Sequence, residues 1–241
     1  MFRTIVSFIL VALAVICATP FGIFAFIFSV LGFKKSMLHL TYRVAQIWGK
    51  FLILVSGSKL TVTGRENIPL KGGLCFVSNH SGIFDIILAL SYAGRPFGFI
   101  AKKELLLIPL LNIWISLLGG LFIDRKHPRK ALKTIQKGVN RLKAGGGMLI
   151  FPEGHRSRDG KLLPFHPGSF KLAVHSKVPI VPVAISGSNE VFEKNRRIRS
   201  AVVKITFLPP IPTAGLSAED RKQKLPDQVY AEIAKALESP V

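Results

Sequence analysis

The stretch that decides the fold runs Gly73-Leu74-Cys75-Phe76-Val77-Ser78-Asn79-His80-Ser81-Gly82-Ile83-Phe84-Asp85-Ile86-Ile87-Leu88-Ala89-Leu90. A short apolar run, a polar break containing glycine, and a second apolar run read as strand, tight turn, helix. The break carries a histidine and an aspartate five positions apart. On a regular helix that spacing separates two side chains by roughly 140°, so the pair meets only if His80 lies outside the helix and the chain curls between them. Gly82 is expected to supply the backbone freedom for that curl. Asp85 in the first helical turn suits the positive end of the helix dipole. A carboxylate on one imidazole nitrogen leaves the other to accept a proton, which is the arrangement of an oriented general base. A plain turn histidine beside a capping aspartate fits the same residues.

The strand–helix alternation continues outward. Strands are predicted over residues 60–63, 74–78, 98–101, 121–124, 148–151, 180–185 and 202–207, and helices over 83–92, 105–118, 129–143, 169–175 and 228–237. This pattern predicts an α/β fold with a mixed, largely parallel sheet flanked by helices. The helix predicted at 105–118 is apolar nearly all round, so it is either core or lipid-facing. The one at 129–143 sets Leu132, Ile135, Val139 and Leu142 against Lys130, Lys133, Lys137 and Arg141. The tail from 209 to 241 is expected to wrap the surface.

Toward the N-terminus, no charged residue occurs from Thr4 to Phe33. That length exceeds what the roughly 30 Å hydrocarbon core of a bilayer requires. Pro20 and Gly22 interrupt the run, giving either a kinked spanning helix or a re-entrant hairpin. Apolar residues persist well past Ala18, which argues against a signal-peptide cleavage site. Lys34, Lys35, Arg43 and Lys50 follow, placing the rest of the chain on the cytoplasmic side by the positive-inside rule. A bacterial inner membrane is the expected location. Residues 36–56 read as an amphipathic helix whose Tyr42 and Trp48 suit a membrane interface or packing on the globular part. The expected division is 1–57 as membrane-anchoring helices and 58–241 as the α/β domain.

The 241 residues carry 33 Lys+Arg against 13 Asp+Glu, a net charge of +20, at a mean hydropathy of +0.40. Basicity combined with hydrophobicity indicates an anionic membrane surface as partner. Nucleic acid is not expected, because the basic helix has no interleaved aromatic residue for stacking. Cys17 and Cys75 both lie in apolar runs and form no disulfide framework. A covalent serine mechanism is disfavoured by the lack of a G-x-S-x-G elbow.

Three further segments bear on His80: Gly119-Gly120-Leu121-Phe122-Ile123-Asp124-Arg125, Phe151-Pro152-Glu153-Gly154-His155-Arg156-Ser157-Arg158, and Val178-Pro179-Ile180-Val181-Pro182-Val183. Strand ends of an open α/β sheet share one ligand-binding edge, which brings Arg125 and Arg156 toward His80. Arginine forks match phosphate oxygens.

In this order the four segments resemble the four motifs of the glycerolipid acyltransferase family, specifically its 1-acylglycerol-3-phosphate acyltransferases. The first resembles the family's Asn-His-x-Ser-x-x-Asp box through Asn79, His80 and Asp85, with Gly82 at the serine position. The third resembles Phe-Pro-Glu-Gly-Thr-Arg-Ser through Glu153, Gly154, Arg156 and Ser157, with His155 in place of threonine. The resemblance covers roughly residues 60–190. It implies acyl transfer from acyl-CoA or acyl carrier protein to the sn-2 hydroxyl of lysophosphatidic acid, giving phosphatidic acid. His80 would be the base and Asp85 its orienting acid. Arg125, Arg156 and a lysine, Lys103 in preference to Lys102, would hold the phosphate. Asn79, Glu153, Gly154 and Ser157 would bind substrate or support the site; Glu153 either binds hydroxyls, steadies Arg156 or closes its turn. His155 either adds chemistry or is a tolerated polar replacement. Direct transfer requires no metal and no cofactor. The residues also admit acyltransfer to another acceptor, such as glycerol 3-phosphate, another lysophospholipid or an amino-acid lipid.

Overall fold

A computed structural model describes residues 2–157 and 159–238; Arg158 of the third segment lies outside the described residues. Seven strands make one sheet: β1 (Lys59–Thr63), β2 (Leu74–Ser78), β3 (Phe97–Lys102), β4 (Leu121–Ile123), β5 (Gly147–Ile150), β6 (Ile180–Ser186) and β7 (Val202–Phe207). Their order is β1-β7-β6-β2-β5-β3-β4. Only β6 and β7 pair antiparallel; β6, β2, β5, β3 and β4 all run the same way. The carboxyl ends of those five strands therefore share one edge, as the strand–helix alternation requires. Near-continuous apolar strands mark the centre of the sheet, and β2 and β5 are buried at every position.

Nine helices accompany the sheet among the described residues: α1 (Phe2–Phe28), α2 (Lys34–Ser56), α3 (Phe84–Tyr92), α4 (Leu111–Leu117), α5 (Pro128–Lys143), α6 (Lys171–Ser176), α7 (Ser188–Val191), α8 (Ala218–Lys222) and α9 (Lys224–Glu238). Two hydrophobic clusters form, one on each face of the sheet. The first joins Phe76, Phe97, Leu149 and Val183 to Leu88 of α3 and Tyr42 of α2. The second joins Cys75, Met148 and Ile180 to Val139 and Leu142 of α5, Leu172 of α6, and Val229 and Ile233 of α9. The tail beyond residue 209 thus does more than wrap the surface. Its apolar stripe Leu225, Val229, Ile233 is buried, and α9 covers β6.

The N-terminal run departs from expectation in where it breaks. Pro20 lies inside α1, which stays helical through Gly22. Gly22 serves packing instead: a Cβ there would lie 3.4 Å from Trp114 of α4. The break comes at Gly32, with φ of 104°, which joins α1 to α2 across a single π turn. The arms on either side contact each other, and both reach α4. Ile16–Ser56 contains helix long and apolar enough to cross a membrane, yet Gly32 divides it. Exposed apolar side chains crowd these arms, including Ile23, Phe24, Phe26, Val30, Leu31, Ile47 and Leu54. Tyr42 is not interfacial; it is buried with its ring edge-on to Phe97.

The helix predicted over 105–118 is two pieces. A 3-10 turn covers Lys103–Leu107, and α4 begins at Leu111 after Pro109 and a positive φ at Leu110. Its halves divide the alternatives. Leu106, Leu107, Ile108 and Leu111 are exposed, whereas Ile115, Leu117 and Leu118 are core. On α5, Leu132 is exposed rather than packed, and Arg141 turns inward to donate to the Gly119 carbonyl.

Candidate active site

The first segment leaves β2 at Ser78 and enters α3 at Phe84, so His80 lies between strand and helix and Asp85 in the first turn of α3. His80 Nδ1 is 2.8 Å from Asp85 Oδ2. The same carboxylate oxygen accepts the backbone N–H groups of Ser81 at 2.7 Å and Gly82 at 2.9 Å. Its other oxygen accepts the Ser188 hydroxyl, and Ser188 Oγ lies 2.8 Å from Ser81 Oγ. Asp85 is fully buried. These donors replace the hydrogen bonds to water that a buried carboxylate loses. Nδ1 is committed to Asp85, so Nε2 is the nitrogen left for substrate.

The backbone of His80 is clamped by the third segment. Its N–H donates to Glu153 Oε1 at 2.8 Å, and its carbonyl accepts the Ser157 N–H at 2.7 Å. Phe151 stacks on the imidazole, centroids 3.9 Å apart. Glu153, 1% exposed, therefore meets the His80 backbone and is not on the cavity wall where Arg156 lies. Burial pushes its carboxyl up to about 7, against the lowering effect of the His80 N–H. Asn79 is buried too. Its amide donates to the Ile185 carbonyl at 2.8 Å and accepts the Ile185 N–H at 2.9 Å, riveting the β2 end to β6. Ser157 Oγ donates to Asp159 at 2.8 Å. Gly154 holds φ of 77°. These four residues support the site and present nothing to a ligand except the Gly154 backbone.

His80 forms part of the wall of a cavity of about 1060 Å³ that also contains Arg125, Arg156, Arg196, Lys102, His155 and His166. Its lining also includes the apolar side chains of Phe99, Ala101, Leu105, Ile135, Ile150 and Leu172. The lining thus offers cations for an anion and apolar surface for a hydrocarbon chain. Arg125 Nη1 donates to the Gly154 carbonyl at 2.5 Å, and Arg156 Nη1 is 3.6 Å from Glu193 Oε1. Burial raises the Glu193 carboxyl, while the Ile83 N–H and Arg156 act against the rise.

The lysine choice is corrected. Lys103 is tied to Asp124 at 2.8 Å and lies off the cavity wall, whereas Lys102 is on it. Lys102 ends β3 on that wall, and Lys103 opens the 3-10 turn that follows, where its ammonium reaches Asp124. The hydrogen bond from Lys103 holds Asp124 down at about 2, helped by His127 and the Lys126 N–H. Gly82 is also corrected. It has no positive φ, so conformational freedom is not its contribution. Cys75 is fully buried with its thiol pushed up to about 12 by burial, a core residue. Sequence reasoning missed Ser188, Glu193, Arg196, His166 and the Phe151 stack. Ser188 lies 103 residues from Asp85 in sequence, and no local pattern connects them.

His80 after β2, Arg125 after β4, Arg156 beyond β5 and a set of apolar side chains thus line one cavity. Residues 59–186 match the Acyltransferase family, and the chain belongs to it. It is similar to the 1-acyl-sn-glycerol-3-phosphate acyltransferase of Borreliella burgdorferi, 32% identical over 79% of this chain and 76% of that one. It is 30% identical to the enzyme of that name from Limnanthes douglasii, over 97% of this chain and 83% of the other. The crystal structure of the 1-acyl-sn-glycerophosphate acyltransferase PlsC from Thermotoga maritima superposes with a TM-score of 0.82 at 27% identity, covering 100% of this chain and 97% of that one.

Proposed function

We propose that this enzyme transfers an acyl group from a thioester to the sn-2 hydroxyl of 1-acylglycerol 3-phosphate, forming phosphatidic acid. The observation that carries the reading is His80, held at 2.8 Å by buried Asp85, in the wall of a cavity that also contains Arg125 and Arg156. His80 Nε2 takes the hydroxyl proton as the oxygen attacks the thioester carbonyl carbon. The resulting imidazolium is stabilised by Asp85 and returns the proton to the departing thiolate as the carbon–sulfur bond breaks. Arg125, Arg156 and Lys102 neutralise the acceptor phosphate, with Arg196 beside them. The apolar side chains of the lining take acyl chain.

The donor is acyl-CoA or an acyl carrier protein; both supply the same thioester. The apolar arms of α1 and α2 and the exposed loop around Leu107 bind the lipid surface that holds acceptor and product. A bacterial inner membrane, with the α/β portion on the cytoplasmic side, agrees with the cations that follow the apolar run.

Purified enzyme in detergent, supplied with an acyl thioester and lysophosphatidate, glycerol 3-phosphate or a lysophosphodiester in turn, is expected to release thiol fastest with lysophosphatidate. Faster release with another acceptor transfers the assignment to that acceptor. No release with any of them refutes it.

A further inference from the structure

Glu193 follows α7 and stands on the cavity wall beside Arg156, Arg196 and His80. Its Oε1 accepts the Ile83 N–H at 2.6 Å, which plants the carboxylate at the entrance to α3. The same oxygen is 3.6 Å from Arg156 Nη1. Its Oε2 lies over Gly82, where a Cβ would come within 2.8 Å of Oε2 and 3.2 Å of the carboxyl carbon. A side chain at 82 would therefore displace the Glu193 carboxylate from this seat. Gly82 has no positive φ, and its missing side chain provides space for this carboxylate.

A negative charge in a cavity that binds a phosphate needs a reason. Acceptor and product in the proposed reaction carry the same phosphate, so uncompensated arginines would hold both equally tightly. Binding shared by substrate and product slows release without lowering the chemical barrier. We propose that Glu193 is the built-in counter-ion of Arg156, seated in the space left by Gly82, and that it sets acceptor and product affinity by competing with their phosphate for that guanidinium. The inference rests on the acyltransferase reading above and extends it to a specificity-determining residue. The Arg156–Glu193 separation is longer than a close ion pair, and Arg156 is about half exposed, with 47% of its side-chain surface accessible. Such a contact yields readily to a doubly charged phosphate.

Glu193→Gln retains the acceptor for Ile83 N–H and the shape over Gly82 while removing the charge. At about pH 8, well above the carboxylate range, the variant is expected to lower the acceptor KM and the inhibition constant for product together by about 3- to 10-fold. The KM for the acyl donor is expected to stay unchanged. An active variant whose acceptor KM is unchanged or raised overturns the counter-ion role. Absence of acyl transfer by wild type to any acceptor defeats the functional reading itself, so the two failures differ. The packing half is checked without turnover. Gly82→Ser is expected to melt at lower temperature than wild type, and Gly82→Ser with Glu193→Ala to recover most of the loss. Equal melting of Gly82→Ser and wild type overturns the shared space.

Discussion

The proposed catalytic pair, His80 on the cavity wall with Asp85 buried behind it, and the proposed phosphate cradle are held in opposite ways. Asp85 is buried, and both carboxylate oxygens are engaged by His80, two backbone N–H groups and Ser188. His80 is fixed at its backbone by Glu153 and Ser157 and at its ring by Phe151. Arg125 and Arg156 have exposed side chains, one resting on a carbonyl and the other on a long ion pair. The contrast follows from what each region must do. A base works only from a fixed geometry, where small displacements lose large factors in rate. A phosphate site must admit and release its ligand, and loosely held guanidinium groups do so at little cost.

Substitutions in the two regions should therefore separate kcat from KM. His80→Ala carries the largest effect: kcat is expected to fall by about 10³-fold or more with acceptor KM nearly unchanged, measured as thiol release at saturating substrates. A loss confined to KM would erase the distinction between the regions. Arg156→Ala is next, expected to raise acceptor KM by about 10- to 100-fold with kcat within a few-fold, since charge-assisted hydrogen bonds contribute about 1.5–3 kcal/mol. A fall in kcat equal to the rise in KM would mean that Arg156 belongs to the rigid half.

Glu153 gives the rigid half a pH signature. Its carboxyl is raised to about 7 in the folded chain by burial, against about 4.5 or slightly lower when exposed. The neutral form is favoured on folding, so its contribution to stability is complete at low pH. That contribution is lost as pH rises from the unfolded value through about 7, by on the order of 3 kcal/mol. Glu153→Gln keeps an acceptor for the His80 N–H and is expected to flatten stability over that window. Denaturation midpoints measured across the window would check it, and an unaltered slope would assign the pH dependence elsewhere.

Ser188→Ala leaves Asp85 with its three other donors and is expected to reduce kcat by about 3- to 10-fold, on the basis of about 1 kcal/mol for one hydrogen bond. Smallest is the lysine pair. Lys102→Ala is expected to raise acceptor KM a few-fold, and Lys103→Ala to leave KM unchanged and shift stability by less than about 1 kcal/mol, as for an exposed ion pair. The reverse result would restore Lys103 to the cradle.

Much of this architecture is legible in the sequence because its signals are local. All seven strands lie where apolar runs place them, and the ends of β2, β4 and β5 carry His80, Arg125 and Arg156 as their segments suggest. Where local pattern misled or left alternatives open, tertiary neighbours decided. Gly22 was read as a helix interruption, yet it is a seat for Trp114. Tyr42, amphipathic in isolation, is enclosed against Phe97. Glu153, a plausible substrate ligand from its motif, faces the His80 backbone. Lys103 and Lys102 are indistinguishable in sequence, and they separate because β3 ends between them and Asp124 takes the Lys103 ammonium.

By itself the sequence determined the α/β pattern, the apolar N-terminus, the His80–Asp85 pair and the two arginines, because periodicity and short motifs are properties of neighbouring residues. Only the tertiary structure decided which side chains complete the site. Ser188 reaches Asp85, Asn79 locks to Ile185 and Glu193 settles over Gly82 because parallel strands distant in sequence bring their carboxyl ends to one edge, and that adjacency is written in the register of the sheet.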